Sequence, residues 1–323
     1  MKAAVTGGTG VVGRSVVRHL VGAGHQVVAL ARSAESAVEL EGLGASPIGG
    51  DVLDRAALDD LMNSAELVFH IAGVNEMCSK DPDHMDRVNI EGTRNVMHAT
   101  REAGAMRLIH TSSASTIGEA HGTIGNESSP HRGSYLSRYE RSKHLSERLL
   151  FEEAGDLDVV AVNPSSVQGP GRSTGTGKLI LDLLNGRLPF LVETKVSIVD
   201  IDDCARGHLL AAETGASGER YLLSGATFDM TEALALLTRV TGRRLRPRFV
   251  PGWLASAGAA VIEAGAGVAG RPPEVCREMV RVLRAGHSYD GSRATRDLGL
   301  AYTPLENTIR RTIDWFEGEG LLT

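Results

Sequence analysis

Short β-branched runs alternate with longer segments of helical spacing through the first half of this 323-residue chain, and few folds accommodate that alternation. AAVT (3–6), QVVALA (26–31), LVFHIA (67–72), RLIHTS (107–112) and DVVAVN (158–163) are apolar nearly throughout, as strands buried on both faces are. The pieces between them, such as VVGRSVVRHLVGAG and VNIEGTRNVMHATREAG, carry helical spacing and close on Gly or Ala-Gly, which predicts helices. A repeated βα unit gives an α/β fold: a doubly wound parallel sheet with helices on both faces. After Asn163 the pattern loosens into NPSSVQGPGRSTGTGK, an irregular excursion. VSIVDIDDCARGHLLAAE then predicts a further strand and helix, and from about Thr227 the chain is mostly helical. The expected division is a larger α/β core over 1–164, with 196–224 returning to it, and a smaller, mostly helical domain built from 165–195 and 225–323.

TGGTGVVG (6–13) follows the first run directly and opens the first helical segment, with Gly8-x-Gly10-x-x-Gly13 and Gly7-x-x-Gly10-x-x-Gly13 overlapping. Glycine there lets the chain turn tightly and lets backbone N–H groups approach a pyrophosphate, whose charge a helix N-terminus favours. Gly7, Thr9, Gly10, Val11, Val12 and Gly13 are therefore the candidate dinucleotide cradle. At the end of the second run, Asp or Glu would accept from the ribose 2′-hydroxyl of NAD, whereas arginine pairs with a 2′-phosphate. Ala31 and Arg32 stand there, with no carboxylate before Glu35. NADP(H) is favoured over NAD(H).

GSYLSRYERSK (133–143) holds two tyrosines four residues apart and a lysine four beyond the second. Residues at i and i+4 share a helix face, and only Tyr139 has a cation, Lys143, one turn after it. Free tyrosine titrates near ~10; an adjacent ammonium favours phenolate and moves the group toward the range useful for general acid–base catalysis. Upstream, HTSSASTIG (110–118) delivers serine hydroxyls to the carboxyl edge of the sheet, where open α/β sheets bind ligands. A serine donor and a tyrosine acid there would share one carbonyl oxygen and stabilise the charge that grows as hydride arrives. Tyr135 is left to pack before the acid or to line the substrate entrance.

Taken in order, TGGTGVVG, GDVLD (50–54), HIAG (70–73), VNIEGTRNV (88–96), HTSSASTIG, YERSK, NPSSVQGPG and VDIDDCARGH make the chain resemble the extended branch of the short-chain dehydrogenase/reductase superfamily over nearly its whole length. The resemblance implies a seven-stranded Rossmann-type core that binds the dinucleotide and a smaller C-terminal substrate domain. It implies Tyr139 as the acid–base residue and Lys143 as the holder of the nicotinamide ribose. It also implies Ser113, the last of TSS, as the catalytic serine, with Ser112 the alternative. By the same likeness Asp51 contacts the adenine with Val52 beside it, Ala72 and Gly73 line the adenosine ribose, and the backbone from Pro164 to Val167 borders the nicotinamide. Asn89 sits near the cofactor or serves as a structural cap. The helices of Tyr139 and VNIEGTRNV pair in dimers of many relatives, which makes a homodimer a candidate state.

Within that branch, VVALAR, NPSSVQGPG and SRATRDLGLAYTPLENTIRRTIDWF look most like the dihydroflavonol-reductase-like group, which reduces ketones or aldehydes with NADPH. Sugar-nucleotide epimerases and dehydratases usually carry an acid after the second strand and an Arg-Asp-aromatic motif, where this chain has Ala31-Arg32 and ETKVSIVDIDD. The expected activity is NADPH-dependent reduction of a ketone or aldehyde of a small organic substrate by hydride transfer. The alternatives are an NAD(P)-dependent epimerase or dehydratase that keeps its cofactor, and a non-catalytic NADP-binding redox sensor, against which the Tyr-Lys pair argues.

Other features exclude classes. A formal charge of −6 gives no footprint for nucleic acid. The eleven histidines form no HxH or HxxxH pair, so no metal site is expected; His70 and His110 read as satisfied residues of buried strands. Cys78, Cys204 and Cys276 are odd in number and widely spaced, which predicts no disulfide and a reducing, cytoplasmic setting. Cys78 reads as a small apolar residue and Glu127 as a solvated loop acid. MKAAVTGGTG begins a strand at once and does not read as a secretory signal. WLASAGAAVIEAGAGVAG (253–270), with Glu263 and four glycines, is too weakly hydrophobic for a span. It is expected to form a buried or amphipathic helix, with no membrane partner.

Overall fold

The computed structural model describes residues 1–79, 81–269, 271–273 and 275–323. Its strands are, in chain order, β1 (Lys2–Thr6), β2 (Gln26–Ala31), β3 (Ser46–Gly49), β4 (Leu67–His70), β5 (Arg107–Thr111), β6 (Val159–Pro164), β7 (Ser166–Gln168), β8 (Phe190–Leu191), β9 (Lys195–Asp200), β10 (Arg220–Leu223), β11 (Ala226–Asp229) and β12 (Arg248–Phe249). Seven of them form one sheet in the order β10-β6-β5-β4-β1-β2-β3, with every pairing parallel. The chain winds outward through β2 and β3, then crosses back to β4, so a crevice opens above the carboxyl ends of β1 and β4, the place where such sheets bind ligands.

Among the described residues, eight helices come from the first two thirds of the chain: α1 (Val11–Gly22), α2 (Ala34–Gly42), α3 (Arg55–Met62), α4 (Pro82–Asp86), α5 (Gly92–Glu102), α6 (Arg138–Glu153), α7 (Thr176–Leu184) and α8 (Ile201–Thr214). On one face of the sheet Val5, Phe69 and Ile109 pack with Val16, Val17 and Leu20 of α1 and Cys204 and Ala205 of α8. On the other, Ala4, Val68 and Leu108 meet Leu58 and Leu61 of α3, Val96 and Met97 of α5 and Leu150 of α6. Burying each large apolar side chain contributes about 1.5–3 kcal/mol, which is why the central strands carry no alternation.

The remaining helices are α9 (Met230–Thr241), α10 (Gly252–Val268), α11 (Arg277–Ala285), α12 (Ser292–Leu298) and α13 (Leu305–Gly318). Leu183, Leu184, Leu236, Leu237, Ile313 and Phe316 give the cap its own core from α7, α9 and α13. Two boundaries differ from the sequence reading. The strand β9 lies in a separate three-stranded sheet, between β11 and β7, while α12 sends Ala294 and Leu298 into the core beneath the large sheet. The short edge strand β3, Ser-Pro-Ile-Gly, had no periodic signal at all.

Four local expectations are overturned. Cys78 and Cys276 form a disulfide across 198 residues, tying the loop after β4 to the start of α11; Cys204 alone is free, and buried. His70 is satisfied, but neither ring nitrogen of buried His110 has a partner. Glu127 is no solvated acid: its carboxylate accepts the Leu222 N–H at 2.8 Å and its carbonyl accepts from Arg220. The segment from 253 does form a helix, yet only Ala259 of α10 is buried; Gly270 lies outside the described residues. No described helix is long and apolar enough to cross a membrane.

Candidate active site

The glycine turn joins β1 to α1 at the crevice. Gly7 has φ +72°, and a Cβ on it would lie 2.6 Å from the Ala72 backbone nitrogen; a Cβ on Gly13 would lie 2.0 Å from the Gly7 carbonyl oxygen. Neither position admits a side chain without moving backbone. Gly10 precedes α1 with no side-chain cap bond, whereas Ser33, Asp54, Ser137 and Asp200 each cap their own helices. The first N–H groups of α1 are therefore left for an anion, with the helix dipole in support. Thr9, Val11 and Val12 complete that turn. The donor set and the bare backbone fit a dinucleotide pyrophosphate.

Arg32 follows β2 directly and is exposed, beside the Ser33 cap of α2. Asp51 uses a carboxylate oxygen to accept the Leu53 N–H at 3.0 Å. The Val52 side chain packs in the core beneath Gly92, and its carbonyl accepts from Asn95 Nδ2 at 3.2 Å. Ala72 donates its N–H to the Thr6 hydroxyl at 3.3 Å, and Gly73 is exposed at the crevice. A Cβ on Gly73 would lie 3.2 Å from Asn89 Oδ1 and 3.9 Å from Lys143 Nζ, so three of the expected cofactor positions converge. Asn89 is a clamp: Oδ1 accepts the Val74 N–H at 2.7 Å, while Nδ2 donates to the Val74 carbonyl and, at 2.8 Å, to Ser142 Oγ on α6.

The ends of β1, β4 and α5 are bolted together by His70. Thr93 donates its hydroxyl to the Asn89 carbonyl, so its oxygen accepts from His70 Nε2 at 3.0 Å, and His70 Nδ1 receives the Thr6 hydroxyl at 2.8 Å. Burial, assisted by the Lys143 charge, pushes His70 down to about 3. The ring is a neutral structural link.

Ser113 leaves β5 and opens a 3₁₀ turn over Ala114–Ile117. Its oxygen accepts from Ser115 Oγ at 3.0 Å, which leaves its own proton free to donate elsewhere. Ser112 is buried with an unpartnered hydroxyl. Ser137 caps α6 by accepting the Glu140 N–H, which sets Tyr139 in the first turn, and the Ser113 side chain lies within its hydrogen-bonding reach. Lys143, one turn on, is buried and donates to the Thr111 carbonyl at 2.7 Å; burial pulls it down to about 8 against the pull of Glu147. Glu147, in turn, accepts from Thr116 at 3.1 Å and from Asn163 at 2.5 Å, fastening the serine turn to α6 and β6. Pro164 ends β6, and Val167 follows in β7, which pairs with β9 in the three-stranded sheet.

One electrostatic expectation changes. Burial raises the Tyr139 phenol above its ordinary value, and the groups that oppose this are the nearby Ser113 hydroxyl and the Arg172 charge, not Lys143. Arg172 lies in the glycine-rich loop between β7 and α7, its Nε is buried without a partner, and its guanidinium is the cation nearest in effect to the phenol. A lone charged residue in GPGRSTGTG was the available signal for it. Tyr135 stands outside α6, its ring tilted against His131 and His144 with centroids 5.3 and 5.6 Å away.

A cavity of about 370 Å³ lies between the loop after Ser113 and the cap, lined by Glu119, Arg132, Leu136, Lys195, Arg284 and His287 among others. His287 Nδ1 and Glu119 Oε1 are 2.6 Å apart, and the Tyr289 hydroxyl is 3.1 Å from the same nitrogen. No residue between 165 and 190 lines it. A second cavity, about 420 Å³, lies among Met1, Leu67, Met106 and Arg107 at the amino ends of the strands, the edge opposite to the serine and tyrosine. No group of three or more metal-ligating side chains occurs among the described residues.

Residues 3–224 match the family described as the NAD dependent epimerase/dehydratase family. A protein of Synechocystis sp. with the description "Putative dihydroflavonol 4-reductase" is 34% identical over 98% of this chain and 94% of its own length. Sterol demethylase protein B of Methylococcus capsulatus is 32% identical over all of both chains. The crystal structure of gox2253 superposes with a TM-score of 0.87 at 31% identity, covering 100% of this chain and 99% of that one.

Proposed function

Since the chain belongs to the NAD dependent epimerase/dehydratase family and is an NAD(P)-dependent oxidoreductase of the extended short-chain type, we propose that it reduces a ketone or aldehyde of a small organic molecule with NADPH. The observation that carries this reading is the meeting of Ser113, Tyr139 and Lys143 at the carboxyl edge of the sheet, beside the glycine cradle. A reductase among the relatives agrees with it.

Bound NADPH would supply a hydride to the carbonyl carbon. The Ser113 hydroxyl, already accepting from Ser115, donates to the carbonyl oxygen and holds it in place. Tyr139, whose phenol burial keeps protonated at neutral pH, gives that oxygen its proton. Lys143 holds the nicotinamide ribose through its ammonium, and the backbone of Pro164 to Val167 borders the ring. Arg32, exposed at the end of β2, pairs with the 2′-phosphate, which favours NADP(H) over NAD(H).

Replacing Tyr139 with Phe is expected to lower kcat by ~10²–10⁴-fold, the usual range for a general acid, while NADPH affinity measured by fluorescence titration stays within about twofold. Turnover unchanged in that variant would sink the mechanism. Protein that purifies with NAD bound and consumes no added NADPH across a panel of ketones and aldehydes would favour epimerisation instead.

A further inference from the structure

We infer that the face of α10 rests on an anionic lipid surface, with the helix lying in the interface rather than crossing it. On an ordinary surface helix the apolar stripe faces the core and the polar residues face water. Here the arrangement is reversed. The outward residues include Trp253, Leu254, Ala257, Val261, Ile262 and Val268, and every other exposed position along the helix is Gly or Ala. Val261 is 74% exposed, Val268 93% and Trp253 68%. The two polar side chains point inward to α11: Ser256 Oγ accepts from Arg284, and Glu263 pairs with Arg277.

At 100° per residue these exposed positions sweep about half the helix circumference, and 17 residues at ~1.5 Å rise make a strip about 25 Å long. A continuous apolar strip of that kind marks a binding surface.

Charge identifies the occupant. The chain as a whole carries −6, yet residues 243–284 hold eight arginines against three glutamates, a local surplus of five. Arg243, Arg244, Arg246 and Arg248 fall in six residues just before the helix, and all four are exposed. Among the described residues only Arg277 of the eight is ion-paired with a carboxylate. An exposed apolar helix face, preceded in the chain by four exposed arginines and backed by Arg277 and Arg284 of α11, offers anionic lipid both an apolar seat and cations for its headgroups. A second copy of this chain would bring the same arginines against one another. The surface thus departs from the expectation that the protein has no membrane partner.

The test is sedimentation of the purified full chain with vesicles of phosphatidylcholine alone or mixed 7:3 with phosphatidylglycerol. Binding to the mixed vesicles is expected to be at least tenfold tighter and to weaken about tenfold between 50 and 300 mM NaCl, with Trp253 emission quenched by brominated lipid. Val261→Asp with Ile262→Asp should abolish binding to both vesicles, and neutralising Arg243, Arg244, Arg246 and Arg248 to Gln should remove only the preference for the anionic ones. Melting temperature and circular dichroism, unchanged in these surface variants, report that the fold is intact. Protein that stays in the supernatant with both vesicles overturns the inference. So does a dimer in sedimentation equilibrium that Val261→Asp dissociates, because the face would then be covered by a second copy.

Discussion

Arg172 supplies the charge that opposes burial at the Tyr139 phenol, and the phenol returns the favour at the guanidinium. Removing a cation disfavours phenolate, so Arg172→Gln raises the tyrosine pKa further. The consequence is directional. In the alcohol-oxidising direction, where phenolate is the base, the kcat/KM profile of the variant should shift to higher pH, and Arg172→Lys should restore most of the shift. A profile displaced to lower pH, or unmoved in both variants, would show that the charge acts elsewhere. Lys143, to which both spacing and resemblance give a tuning role, is not among the groups that move the phenol. Helical position i+4 fixes a shared face but not the reach of the ammonium, one of whose three donors goes to the Thr111 carbonyl.

At the scale of elements, the Cys78–Cys276 link joins the loop after β4, held otherwise by Asn89, to α11, whose Glu278 accepts the Arg138 N–H at the start of the tyrosine helix. Closing a loop of 198 residues removes about 5 kcal/mol of chain entropy from the unfolded state in the simplest account. Reduction, or Cys78→Ser compared under non-reducing conditions, is expected to lower the melting temperature, and thiol titration of the native protein should find no reactive thiol until the chain is unfolded, when buried Cys204 appears. Three thiols in the unfolded, untreated protein would deny the link. What the sequence disclosed follows the same division. The central strands, α1 and the tyrosine helix were legible because buried parallel strands and glycine turns leave local signatures, as at Val5, Phe69 and Gly7. The disulfide, the edge strand β3 and the outward face of α10 were not, because each depends on what distant segments cover, and periodicity within a window carries no such information. Arg172 belongs with these: only folding brings a loop after β7 against the first turn of α6.

For the whole molecule, the proposed seat of the dinucleotide is the crevice of β1 and β4 in the larger body, so its effect on stability can be read without any substrate. A ligand at about 100 times its Kd stabilises the folded state by ~2.7 kcal/mol, and for a chain of this length that raises the melting temperature by roughly 4 °C. NADPH should produce that shift at lower concentration than NADH, because Arg32 is exposed at the end of β2 with no carboxylate in the position that would accept a ribose hydroxyl. Exchanging the residue for the opposite charge, Arg32→Asp, should reverse the order, since a carboxylate repels the 2′-phosphate and accepts from the 2′-hydroxyl. The unliganded melting temperature of the variant should be nearly unchanged, as the side chain is exposed and makes no ion pair among the described residues. An equal or larger shift with NADH in the unaltered chain would mean that the helix N-terminus and glycine turn bind the shared pyrophosphate while Arg32 contributes nothing to the choice of dinucleotide.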